Sequence, residues 1–170
     1  LAVLKKYEGQ KDKRTEIADE LRTVIPEYFD FEELTMRAVG RPWLDFTEEQ
    51  RKAFTDAFTE LLEKTYLQKL DDYNDEQVQY VDEKMKEDRA FVLTKVEHDG
   101  KEIPINYRML MKDQWMVYDV IIEGVSLVKN YRSQFAKLLR TESPDEVIAR
   151  IREKIKALDK GSDDGKDQLS

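Results

Sequence analysis

The sequence contains no cysteine. That removes disulfides, thiolate metal sites and a cysteine nucleophile from consideration. It contains one histidine, His98, beside Asp99-Gly100 at what reads as a hairpin tip. A catalytic triad or zinc site needs partners at a buried position, so His98 is read as a surface residue. No GxSxG, P-loop, GxGxxG or HExxH pattern occurs. No apolar run approaches bilayer-spanning length. Positive charge is also in deficit. Lys plus Arg is 29 and Asp plus Glu is 37, for a formal net charge of −8. This argues against a nucleic-acid binder, which needs a basic face, and against lasting adhesion to anionic lipid headgroups.

What is present suits one domain. Hydrophobic residues make up 40% and charged residues 39% of 170, enough for a core inside a heavily charged surface. The first part reads helical. In "KDKRTEIADELRTVI", Ile17, Leu21 and Val24 share a face, and Pro26 disturbs the helix near its end. "DFEE" has the spacing of an acidic capping box from Asp30 to Glu33, so a short helix is expected to about Val39, with Gly40 ending it. "TEEQ" is a second capping box, opening a long helix from Thr47 to Leu70 with Phe54, Phe58, Leu61, Leu62 and Tyr66 on a wide apolar band.

After "DDYND" the period changes to alternation. "QVQYV" and "AFVLTKV" read as strands, and Asp99-Gly100 is a hairpin signal. In "IPINYRMLM" one face takes Ile103, Ile105, Tyr107, Met109 and Met111. "WMVYDVIIE" follows, giving three to four antiparallel strands. Gly124 is expected to stop the last strand and Ser126 to cap a helix carrying Val128, Tyr131 and Phe135. Ser143, Pro144 and Glu146 open a final helix that buries Ile151, Ile155 and Leu158. The fold class is α+β: helices wrapped on a twisted antiparallel sheet of about four strands. Residues 1–158 form the expected domain, and 159–170 are expected to be a disordered polar tail.

Chemistry is sparse. Carboxylates fall in caps and on polar faces. "LDDYNDEQ" lacks the central glycine and terminal glutamate of an EF-hand loop and reads as a solvated linker, so no metal or cofactor is expected. Asp119 is the polar exception inside an apolar run. One reading is a catalytic acid with a raised pKa. The other, favoured because no second acid, base or nucleophile lies beside it, is a structural carboxylate paired with Arg132, Arg108 or a backbone amide. Met109, Met111 and Met116 lie close together on two strands. They fit either core filler or the wall of a soft cavity for a flexible apolar ligand.

"WMVYDVIIEGVSLVKNYRSQF" closely resembles the signature segment of the toluene-tolerance family, the periplasmic phospholipid-binding proteins of the lipid-asymmetry maintenance (Mla) transport system. The matching positions are Trp115, Val117, Tyr118, Asp119 and Val120, then Glu123 to Val128, then Asn130, Tyr131, Arg132 and Phe135. "FDFEELTMRAVGRPW" resembles the family's FDF…G-x-x-W element, and "TEEQRKAFTDAFTELLEKTY" its EQR…T-Y helix. The match runs from about Ile17 to Leu158. Pro42 before the Trp departs from the pattern, and the strands from Gln77 to Val96 match in pattern only.

The resemblance implies a fold similar to nuclear-transport-factor-2-like domains, with a deep apolar pocket between helices and sheet. It implies a non-enzymatic periplasmic carrier whose secretory signal has been removed. Such a carrier takes phospholipid between an outer-membrane lipoprotein-porin complex and an inner-membrane ABC transporter, with transient membrane contact. Combined with the periodicities, it marks a lipid-contacting set. The helical positions before the strands are Val39, Trp43, Phe54, Phe58, Leu61, Leu62 and Tyr66; the strand positions are Tyr107, Met109, Met111, Val117 and Val120. Val128, Tyr131 and Phe135 complete it, with Asp119 and Arg132 as structural polar residues. Two alternatives stay open: a small enzyme using Asp119 as acid or base, and a helical adaptor with no ligand.

Overall fold

The computed structural model describes residues 14–67, 78–98, 100–161 and 168–169. Among these, the helices are α1 (Arg14–Tyr28), α2 (Phe31–Val39), α3 (Glu48–Leu67), α4 (Leu127–Leu138) and α5 (Pro144–Asp159), with a 3-10 turn at Arg41–Asp45. The strands are β1 (Val78–Lys86), β2 (Arg89–His98), β3 (Lys101–Met111), β4 (Trp115–Ile122) and β5 (Val125–Ser126). The fold is α+β, in two compact units. One holds α1 and the sheet; the other holds α2, the 3-10 turn, α3, α4 and α5. No described helix is long and apolar enough to cross a membrane.

The sheet is an antiparallel meander in the order β1-β2-β3-β4-β5. Turn chemistry sets its course. His98 pairs with Lys101, leaving a two-residue loop in which Gly100 has φ +72°. Asp99, the other half of the expected hairpin signal, lies outside the described residues, as does the "LDDYNDEQ" linker up to Gln77. Glu123 and Gly124 both have positive φ, 49° and 82°, which a type I′ hairpin requires.

The chain therefore does not pass directly from β4 into a helix, as the expected stop at Gly124 implied. It folds back as β5, with Ile121 opposite Ser126 and Ile122 opposite Val125. The sheet thus has one short strand more than the sequence suggests, because a two-residue strand carries no periodicity to detect. α1 is tied to β4 at its C-terminal end: Phe29 bridges Val117, and the Asp30 N–H donates to the Val117 carbonyl at 2.9 Å. The Asp30 carboxylate holds Lys112 Nζ at 2.5 Å, and Glu33 holds Arg37 at 2.7 Å.

In the helical unit, the capping boxes that open α3 and α5 form. Gln50 N–H donates to Thr47 Oγ1 and Thr47 N–H to Gln50 Oε1, each at 3.1 Å. Ser143 and Glu146 make the same reciprocal pair, with Pro144 in the first turn of α5. α3 is described to Leu67; the expected continuation to Leu70 lies outside the described residues. The core of this unit is a run of touching aromatic rings. Phe54 and Phe135 meet edge to face at 4.9 Å, Phe58 and Tyr131 at 4.8 Å, and Phe58 and Phe135 at 5.1 Å. Trp43 and Phe46 extend the run to Phe54. Lys64 of α3 reaches Asp159 of α5 at 2.6 Å. Beyond α5, Leu169 is buried, and its N–H donates to Gln134 Oε1 at 2.8 Å.

Candidate functional site

The register of the sheet collects apolar side chains on one face. Cross-strand partners point the same way, so each row can be read from the pairing. One row runs Met85, Ala90, Met109, Val117. The next face-sharing row runs Glu83, Val92, Tyr107, Val120, and the third runs Tyr80, Thr94, Ile105, Ile122. Val78, Val96 and Ile103 follow at one end, Met111 and Trp115 at the other.

Val117 and Val120 are three residues apart and would face opposite ways on a regular strand. A β-bulge brings them together. Arg108 lies opposite Asp119 but Met109 lies opposite Val117, so Tyr118 is the extra residue. Tyr118 lies on the other side of the sheet, buried, with the Arg89 guanidinium 5.9 Å from its ring centre.

This face is apolar yet incompletely buried. Val92, Val96, Ile103, Ile105, Tyr107, Met109, Val120 and Ile122 are all half-buried, and only Ala90, Thr94 and Val117 among these rows are buried. A packed sheet core buries such residues almost fully, as the helical unit does with Phe54, Phe58 and Phe135. The face is open to solvent along β1, where Tyr80 is 63% and Met85 62% exposed and Glu83 is exposed too, and at Met111, 40% exposed. Two of its polar groups, Thr94 and Tyr107, are bonded within the sheet. Thr94 Oγ1 donates to the Ile105 carbonyl at 2.5 Å. The Tyr107 phenol has its pKa raised by burial, with a side-chain hydrogen bond to Thr94 pulling the other way. The surface offers mainly shape and apolar contact.

Asp119 is 1% exposed on the opposite face. It accepts from Ser126 Oγ at 2.7 Å and from Arg108 Nη1 at 3.2 Å. Arg108, one of the cations weighed from sequence, reaches it because the bulge sets these two residues directly opposite. Arg132 belongs to the helical unit, where its guanidinium lies against Gly40; a Cβ placed on Gly40 would be 3.1 Å from Arg132 Nε. Ser126 sits immediately before α4, as expected of a cap, and its hydroxyl proton goes to Asp119. This is the wiring of a carboxylate held in place, with a hydroxyl and a cation on one oxygen.

The sequence-derived set thus divides. Tyr107, Met109, Val117 and Val120 share the sheet face, with Met111 at its exposed end. Phe54, Phe58, Tyr131 and Phe135 touch one another in the helical unit. Val39, Trp43, Leu61, Leu62 and Val128 are buried there too, and Tyr66 is half-buried. Periodicity identified apolar stripes but could not separate a stripe that meets other rings from one that does not. Val92, Val96, Ala90, Ile122 and Trp115 share this face but lie outside that set. The Asp99-Gly100 signal could have found the β2 members, since a two-residue loop sets Val96 opposite Ile103 and Val92 opposite Tyr107.

Comparison with known proteins adds three findings. The family model described as MlaC protein matches residues 1–153. The intermembrane phospholipid transport system binding protein MlaC of Haemophilus influenzae is 26% identical over 144 residues, covering 78% of this chain and 67% of that protein. Among solved structures, the phospholipid-binding protein from Ralstonia solanacearum, in complex with a phospholipid, superimposes with a TM-score of 0.82 at 26% identity over 92% of each chain.

Proposed function

The chain belongs to the MlaC family, and from that premise we propose that it is a phospholipid-binding protein of an intermembrane lipid transport system. The observation that carries this reading is the sheet face through Tyr107 and Met109, apolar across several strands yet half-buried. Acyl chains are the proposed occupants of that face, with Val92, Val96, Val117, Val120 and Ile122 beside them. The helical stripes expected to help line the site are assigned mainly to the protein's own core. The relatives support the ligand class: one is named for phospholipid transport and the other was solved with a phospholipid.

The physics suits a carrier. Each buried methylene is worth about 0.8 kcal/mol, so two acyl chains supply gross transfer energies of tens of kcal/mol. A donor bilayer hides the same chains equally well. Net affinity is then the difference between two apolar environments plus fit, which permits release. A shuttle between an inner-membrane ABC transporter complex and an outer-membrane lipoprotein-porin complex, across the periplasm, follows from the family resemblance and is part of the proposal. So is the non-enzymatic role: the Arg108–Asp119–Ser126 arrangement fits a structural carboxylate better than an acid–base catalyst.

The test is organic extraction of the purified protein followed by mass spectrometry. Near-stoichiometric phospholipid is the expected result. Protein that carries none, and takes none up from vesicles containing labelled phospholipid, would refute the reading.

A further inference from the structure

Four of the five methionines, Met85, Met109, Met111 and Met116, lie at one end of the sheet. Met85 and Met109 flank Ala90 in a single row. Met111 faces the same way in the terminal row, opposite Trp115. Their environments differ sharply. Met85 is 62% and Met111 40% exposed, whereas Met109 and Met36 are half-buried. Met116 points to the other face, and its sulfur accepts a hydrogen bond from Gln114 Nε2 at 3.4 Å.

The chain has no cysteine, so its thioethers are its readily oxidised sulfurs. We propose that Met85 and Met111 form an oxidant-sensitive site at which peroxides weaken lipid retention. This rests on the lipid-binding reading of the same face. In the chemistry, the thioether sulfur attacks one peroxide oxygen and the O–O bond breaks. The sulfur gains that oxygen as a sulfoxide, losing two electrons, and hydrogen peroxide leaves as water.

The consequence follows from polarity. A sulfoxide is a strong acceptor on a side chain that was apolar and flexible. Its neighbours in these rows are Ala90, Met109, Val117 and Trp115, of which only the Trp115 indole carries a side-chain donor. An acyl chain lying over the patch would strip water from the new oxygen with little to replace it. Retention is expected to fall about tenfold. Methionine sulfoxide reductases of both epimer specificities should restore it.

The experiment loads the full chain with fluorescently labelled phosphatidylglycerol, treats it with hydrogen peroxide, maps sulfoxides by peptide mass and measures label released to acceptor vesicles. Expected are oxidation of Met85 and Met111 ahead of Met36 and Met109, faster release, and reversal by the two reductases. A Met85→Leu/Met111→Leu protein, compared with its own untreated sample, should become insensitive to peroxide. Unchanged release from wild-type protein carrying both sulfoxides overturns the proposal. So does equal peroxide sensitivity in the double variant, or earlier oxidation of Met36. Untreated protein that takes up no phospholipid instead refutes the functional reading, and this consequence with it; the order of oxidation is read independently of that result.

Discussion

Replacing Asp119 with alanine should destabilise the protein, and the size of the loss can be worked from its surroundings. The residue is 1% exposed and accepts from Ser126 Oγ at 2.7 Å and Arg108 Nη1 at 3.2 Å. Breaking one side of a fully buried ion pair costs about 3–5 kcal/mol. That figure is too high here, because the Arg108 side chain is 38% exposed and water takes over part of its solvation. The ion-pair share then falls to about 1 kcal/mol. Ser126 is itself buried, and losing a charged acceptor costs about 1.5–2 kcal/mol more. The sum is about 2–3 kcal/mol, or a drop of roughly 4–12 °C in Tm for a chain of this size.

Urea unfolding at constant m, with thermal melting by circular dichroism, measures it. Asp119→Asn keeps an acceptor oxygen for Ser126 and should lose about half as much. An Asp119→Ala protein melting within about 1 °C of wild type would show that the carboxylate is not holding the β4–β5 corner. An Asp119→Asn protein with native melting that abolished a chemical turnover would revive the acid–base reading.

Other expectations separate core from ligand face. Phe58→Ala removes a ring with no exposure and two edge-to-face partners, and should cost about 3–5 kcal/mol in urea titration; a loss under about 1 kcal/mol would place Phe58 outside the core. Met109→Trp should instead reduce bound phospholipid with little change in melting, whereas an overpacked core would lose about 1–3 kcal/mol. Gly40→Ala should destabilise more than Gly124→Ala. Both have positive φ, but an added Cβ meets Arg132 at Gly40 and nothing within 4 Å at Gly124; equal melting shifts would count against the Arg132 contact. The Tyr107 phenol is held above its ordinary value of 10.0 by burial, so the unfolded chain releases that proton first as pH rises. Its contribution is constant below about pH 10 and is lost progressively above it. Tyr107→Phe should flatten the alkaline fall of the urea midpoint, and an unchanged slope would refute the assignment.

Much of the architecture was legible because it is local. A capping box spans four residues, so Thr47–Gln50 and Ser143–Glu146 announce their helices without reference to anything distant. The alternation in "IPINYRMLM" places Tyr107 and Met109 on one side because the pleat of a strand allows nothing else. The order of helices, sheet and helices, and the absence of a thiol-based site, follow from the sequence on the same footing. The type I′ turn at Glu123-Gly124 was half visible: its glycine was evident, its short return strand was not.

Tertiary structure alone decided the rest, because those features depend on pairings between residues far apart in the chain. The bulge at Tyr118 is one extra residue in eight, invisible to periodicity, yet it puts Val117 and Val120 on one face and Arg108 opposite Asp119. The helical stripe through Phe58 and the strand face through Met109 are equally apolar as strings of letters. In the folded chain, Phe58 meets the rings of Tyr131 and Phe135 and is fully buried, while Met109 lies in a row that remains half-open. Hydrophobic burial is non-directional, so the sequence determines that such residues leave water, and only the packing of side chains determines which of them are left to contact something else.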